Sequence, residues 1–305
     1  MLKKEFISPI WSAAPTPLLN NGELDVESLK RLTEHHYKMG IRGIFIGGTT
    51  GEGPFLPRRI IRELAISTVD AVAGRMAVTL QITDNSAERM IDNISFFGDI
   101  AIDAIVIAPP FISLNATQDY LYDMYRQVIE ASPCDVGIYH RNTPTAPNGE
   151  TLSRLAELPK VVILKDSSGN VDDEKSILST RDRLRATKDF YAYCGAEFDC
   201  PKAIQAGYDG MMIGGACFNG RMAGKIVELT RKGQIVEAKA LQLRMNNLMY
   251  DVFGGKDIHC WLAGQKQLLV ELGIFTTNKC VMNYQLDKET AENIKIAVKR
   301  EEEFL

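Results

Sequence analysis

Apolar residues in this chain come in short runs separated by longer amphipathic stretches, and the two alternate along most of its length. The runs SPIWSAA (8–14), GIFIG (43–47), MAVTLQI (76–82), DAIVIA (103–108), DVGIYH (135–140), VVILK (161–165), FYAYC (190–194) and GMMIG (210–214) each suit a strand. Their near-continuous apolar character is that of strands buried on both faces, in a parallel sheet covered by helices. Between them the apolar positions follow the helical period. DVESLKRLTEHHYKMG (25–40) starts on Asp25, a good N-cap, and closes on Gly40; NSAERMIDNISFFGD and NATQDYLYDMYRQVIEA start with similar caps. This β-then-α rhythm fills residues 1–231 and, at this length, predicts a closed (β/α)₈ barrel rather than an open doubly wound sheet. Residues 232–305 read as helices only, an extension packed on the barrel rather than a second functional domain.

Composition narrows the class. At 305 residues and 45% hydrophobic, the chain can bury a large core. Its 35 Lys+Arg against 39 Asp+Glu give a net charge of -4, which leaves no basic excess for nucleic acid. The start, MLKKEFISPIW, has no apolar core of a signal peptide, and no apolar run approaches the about 18 residues of a membrane span. The 6 cysteines, at 134, 194, 200, 217, 260 and 280, form no CxxC pair and mostly sit in apolar segments. That suits small hydrophobes in a reducing cytoplasm. His35, His36 and His259 lack metal-ligand spacing, so neither a metal nor a cofactor is expected.

In such a barrel the active site is built at the C-terminal ends of the strands. The second strand runs into GGTTGEGPF, where Gly47, Gly48, Thr49, Thr50, Gly51 and Glu52 form either a plain tight turn or a cradle for a carboxylate. The fifth ends on Tyr139, followed by His140, Arg141 and Asn142; a tyrosine there is an amphipathic aromatic or an acid–base group. The sixth ends on Lys165, whose amine either reaches solvent or sits desolvated as a nucleophile. The seventh brings Glu197 to the rim, and the eighth ends on Gly214 and Gly215, with no cationic cluster to make a phosphate site. Taken together, a carboxylate cradle, a tyrosine, an amine and an acid facing one cavity suit a keto acid that condenses with the lysine.

GGTTGEGPFL, Tyr139 at the end of the fifth strand, and LKDSSGN resemble the dihydrodipicolinate synthase / N-acetylneuraminate lyase family of Schiff-base aldolases over the whole chain. The resemblance implies Lys165 as the Schiff-base lysine, Tyr139 as proton shuttle, and Thr49 with Thr50, beside Gly48 and Gly214, holding the keto-acid carboxylate. It also implies a homotetramer. The chain departs from the synthase branch twice. Phe111 occupies the place of a tyrosine in APPFISLN, and YHRNTPTAP lacks the arginine that grips a second carboxylate unless Arg141 substitutes. Ser167 and Glu197, with His140 and Asn142, suit a hydroxylated tail instead. The expectation is a lyase cleaving or dehydrating a 2-keto-3-deoxy sugar acid, with pyruvate as product or co-substrate. The alternatives are dihydrodipicolinate synthesis from aspartate semialdehyde, a non-catalytic keto-acid sensor, and a phosphate- or flavin-binding barrel that would leave the lysine unexplained.

Overall fold

The computed structural model describes residues 2–112, 115–282 and 284–305, and in it the strand runs close on themselves. The strands are β1 (Ile10–Ala13), β2 (Gly43–Ile46), β3 (Ala77–Gln81), β4 (Ala104–Ile107), β5 (Asp135–Arg141), β6 (Val161–Ser167), β7 (Tyr191–Cys194) and β8 (Gly210–Ile213). Each pairs in parallel with the next, and β8 returns to β1 through Trp11↔Met212. The helices α1 (Val26–Lys38), α2 (Arg58–Val72), α3 (Ala87–Phe97), α4 (Gln118–Ala131), α5 (Gly149–Ala156), α6 (Val171–Leu184), α7 (Cys200–Ala206) and α8 (Ala216–Arg231) follow the strands in turn. The remainder is α9 (Ile235–Phe253), α10 (Trp261–Glu271) and α11 (Lys288–Arg300). Together these make the expected (β/α)₈ barrel with C-terminal helices.

The pleat sorts strand side chains into two cores. Outward residues such as Ile44, Val78, Leu80, Ile105, Val136, Ile138 and Leu164 pack against the helices. Full burial of such a side chain contributes about 1.5–3 kcal/mol. Inward residues Trp11, Phe45, Val106, Tyr139, Ile163, Tyr193 and Met212 fill the barrel. Its floor is sealed: the Trp11 indole N–H donates to the Phe6 carbonyl at 3.1 Å, and the Tyr193 hydroxyl to the Ser8 carbonyl at 3.0 Å. A Cβ on Gly43 would lie 2.0 Å from the Trp11 ring, so glycine there admits the indole. These hydrogen bonds close the floor beneath the inward residues.

Two strands run longer than their apolar patterns. Register pairs His140↔Asp166 and Arg141↔Ser167 carry β5 and β6 past Tyr139 and Lys165, which face each other one step inside the rim. Lys165 thus does not end its strand. Of these added ladder residues, His140 and Asp166 are satisfied on the outer face, where His140 Nε2 meets Asp173 at 3.1 Å and Asp166 accepts from the Tyr208 hydroxyl at 2.5 Å. Of the expected caps, Asp25 accepts the Ser28 N–H at 3.0 Å, and Gly40 turns the chain with φ +84°. In the other two helices the capping groups are Ser86 and Thr117, one and two residues past the asparagines that open those segments. All six cysteines are free, and among the described residues no helix is long and apolar enough to cross a membrane.

Candidate active site

Lys165 is buried at the centre of the barrel mouth, its Nζ 4.4 Å from the centroid of the Tyr139 ring and 5.3 Å from that of Phe45. Its setting is forced by the pleat: position 165 faces inward, while Asp166 faces the helices. Burial disfavours the ammonium and holds the lysine pKa below its ordinary value, although the nearby Tyr139, Glu197 and Cys194 pull the other way. Burial alone would raise the Tyr139 phenol. The charges of Lys165 and Arg141, with the hydroxyls of Thr49 and Ser167, outweigh it and bring the pKa below the usual tyrosine value. An amine made easier to deprotonate thus faces a phenol made easier to ionise.

The glycine-rich loop after β2 forms one wall. Gly47 has φ +67°, and the turn closes through the Glu52 N–H to the Thr49 carbonyl (3.1 Å) and the Thr16 hydroxyl to the Gly51 carbonyl (2.6 Å). Thr50 is buried, and a Cβ on Gly214 would lie 2.9 Å from its Oγ1, so the bare eighth-strand end lets the threonine sit where it does. Gly48 packs likewise on the Phe45 ring, where a Cβ would come within 2.9 Å. Glu52 is not part of the cradle. It turns away, fully buried, into an ion pair with Lys266 of α10, and its other oxygen accepts the Val281 N–H at 2.6 Å.

The remaining predicted residues divide. Ser167 lies at the end of β6 beside Lys165: a Cβ on Gly195 would fall 1.9 Å from its Oγ and 3.1 Å from Lys165 Cε. Glu197 has its carboxylate engaged by the Gly215 N–H (2.9 Å) and the Asn219 amide (3.3 Å), and burial raises its pKa. His140 is excluded from the mouth altogether by its place on the outer face. Asn142 is exposed. Arg141 points inward, because it shares the parity of Tyr139: its Nη1 is 3.4 Å from Thr49 Oγ1, and its Nε is buried without a partner. Arg141 thus brings a guanidinium to the mouth beside Thr49. Phe111 is 44% exposed and brings no hydroxyl; Ser113 and Leu114, in the same loop, lie outside the described residues.

Sequence reading gave Gly195 no role of its own; its tight packing shows only in the side chains of Ser167 and Lys165. It overlooked Lys266, an amine in a largely buried helix with nothing local to mark it. His35 and His36 serve structure. His35 Nε2 meets the Cys217 carbonyl at 3.0 Å, and burial pushes His36 down to about 3.

Comparisons with known proteins agree with this geometry. Residues 7–299 match the model of the dihydrodipicolinate synthetase family. A 4-hydroxy-tetrahydrodipicolinate synthase of Dechloromonas aromatica is 29% identical over 79% of this chain and 81% of its own. One from Porphyromonas gingivalis is 29% identical over 86% of both chains. Among solved structures, dihydrodipicolinate synthase of Bacteroides thetaiotaomicron superposes with a TM-score of 0.85 at 26% identity, covering 96% of this chain and 98% of that one. With a lysine in a closed barrel facing a tyrosine and a threonine-bearing loop, the chain belongs to the dihydrodipicolinate synthetase family and is an aldolase-type lyase of the Schiff-base class.

Proposed function

We propose that the protein condenses pyruvate with an aldehyde carrying its own carboxylate, as a 4-hydroxy-tetrahydrodipicolinate synthase does with aspartate semialdehyde. Lys165 attacks C2 of pyruvate as the free amine. The keto oxygen takes up protons and leaves as water, giving a protonated imine. Loss of a proton from C3 gives an enamine, and C3 then attacks the aldehyde carbon, whose oxygen is protonated. The amine of the aldehyde substrate then attacks C2, closing a ring and displacing Lys165 as the free amine, and Tyr139 is positioned to carry protons through these steps. Thr49 and Thr50, with the turn at Gly48 and beside Gly214, receive the pyruvate carboxylate. The reaction runs on the lysine amine and uses no cofactor or metal.

Arg141 carries the choice of second substrate. A site that takes two carboxylates needs a second cation, and a guanidinium is the usual partner for bidentate recognition. Arg141 faces the mouth beside Thr49. Two of the four groups that suited a sugar-acid tail are otherwise engaged, His140 with Asp173 and Glu197 with Gly215 and Asn219. Cleavage or dehydration of a 2-keto-3-deoxy sugar acid is the second reading, favoured by the exposed Asn142 and by the absent hydroxyl at Phe111. The test is kcat/KM for pyruvate with aspartate semialdehyde against pyruvate release from a panel of 2-keto-3-deoxy sugar acids, in wild type and Arg141→Met. The condensation should dominate, and the variant should lose it through the aldehyde KM. Faster sugar-acid turnover, unaffected by the substitution, overturns the assignment.

The same reading includes a catalytic unit of residues 1–231 with an extension of 232–305, a cytoplasmic setting suited to six free cysteines, and a homotetramer. A monomeric mass by light scattering at micromolar concentration would refute the assembly.

A further inference from the structure

The turn between α9 and α10 and the start of α11 hold a cluster far from the barrel mouth in sequence and unused by the chemistry above. Asp287, the cap of α11, places Oδ2 2.7 Å from His259 Nε2 and accepts from the Cys260 thiol at 3.3 Å. The ligating atoms of His259, Cys260 and Asp287 all lie within 4.8 Å of one another. Two of the residues are adjacent and the third is 27 residues on from Cys260, which is why their spacing carries no metal signature.

We propose that His259, Cys260 and Asp287 bind one zinc ion, with water as the fourth ligand. One nitrogen, one sulfur and one oxygen form a mixed borderline-soft set, poor for magnesium or calcium and good for zinc. Bonds of about 2.3 Å to sulfur and about 2.0–2.1 Å to nitrogen or oxygen place tetrahedral ligands about 3.3–3.6 Å apart. The two observed separations, 2.7 and 3.3 Å, therefore need shifts of less than about 1 Å to meet that geometry.

The surroundings are arranged for it. Gly254, with φ +79°, presents a bare face to the cluster, and a Cβ there would lie 2.9 Å from both Cys260 Sγ and His259 Nε2. Both donors thus converge on space that any side chain at 254 would fill. His259 Nδ1 lies 3.2 Å from Asp257, the outer carboxylate that commonly orients a ligating imidazole with Nε2 toward the metal. The Thr290 N–H holds Asp287 Oδ1 at 2.7 Å, while Oδ2 takes the Thr290 hydroxyl at 3.2 Å and is the oxygen that faces His259 and Cys260. Cys260 is fully buried at the base, while the side chains of His259 and Asp287 are 51% and 43% exposed, so ion and water enter from solvent. When the zinc–sulfur bond forms, the thiol proton leaves to bulk water. The ion ties the turn after α9 to the start of α11 and cross-links the helical extension.

Full-length protein is freed of metal with a chelator, then titrated with Co²⁺ and afterwards with Zn²⁺. The expected result is one Co²⁺ per chain with an intense near-ultraviolet thiolate-to-cobalt band, abolished by one equivalent of Zn²⁺. Cys260→Ser keeps a hydroxyl for Asp287 and Thr290, so it should fold, yet lose the band. The exposed His259→Gln should weaken cobalt binding at least tenfold and leave the pyruvate reaction unchanged. No band in the wild type, or a band that survives either substitution at full affinity, overturns the site.

Discussion

Removing the Lys266 amine tests whether the helical extension holds the substrate cradle in place. The Glu52–Lys266 pair is fully buried on both sides, and Glu52 belongs to the loop that carries Thr49 and Thr50. Lys266→Met fills the volume but leaves the Glu52 carboxylate without its counter-ion, and breaking a buried pair in this way costs about 3–5 kcal/mol. Glu52 retains the Val281 N–H at 2.6 Å and the Met282 N–H at 3.4 Å, which places the loss toward the low end, near 3 kcal/mol. For a chain of this length that lowers Tm by about 5 °C. Because the loop loses its anchor, KM for pyruvate should rise by about tenfold, equivalent to about 1.4 kcal/mol. Thermal unfolding followed by circular dichroism, with steady-state kinetics on the same samples, measures both. The double variant Glu52→Gln/Lys266→Met removes both charges and should recover most of the stability. A single variant with unchanged Tm and KM, or a double variant less stable than the single, refutes the reasoning.

Incubation with pyruvate and borohydride should attach one reduced adduct per chain, on the peptide carrying Lys165; an adduct elsewhere removes the lysine from the mechanism. Its pH dependence has a definite sign. Burial lowers the Lys165 pKa, so the free amine is gained as pH rises through a value below the ordinary 10.5, and the rising limb of the trapping rate should lie below that figure. A limb at or above it means the amine is solvated. Tyr139→Phe should lower kcat by about 10²–10⁴-fold while pyruvate still binds; near wild-type turnover would make the phenol structural. Gly195→Ala drives a methyl into Ser167 Oγ and against Lys165 Cε, and should destabilise the protein by about 1–3 kcal/mol and suppress trapping. Normal trapping kinetics in that variant would show that the lysine is not held by this packing.

Much of the molecule is legible in one dimension. Apolar runs at strand length, helical period between them and caps such as Asp25 are local signals, and repeated around the chain they specify a closed parallel barrel. Lys165 and Tyr139 were also legible, because family motifs mark them and the strand period puts both on the inner face. The charges around them were not. His140 and Arg141 are neighbours in sequence, and their opposite fates depend on β5 continuing two residues past Tyr139. That continuation sends His140 outward to Asp173 and Arg141 inward to Thr49. Nor does any local pattern join Glu52 to Lys266, or Cys260 to Asp287, which are 214 and 27 residues apart. The sequence by itself determined the barrel and the inward-facing places of Lys165 and Tyr139, since both follow from periods of two and 3.6 along a single segment. Which charges surround that pair was decided only when the barrel closed and the helical extension docked, because a charge interaction depends on distance and burial, and neither is a property of spacing along the chain.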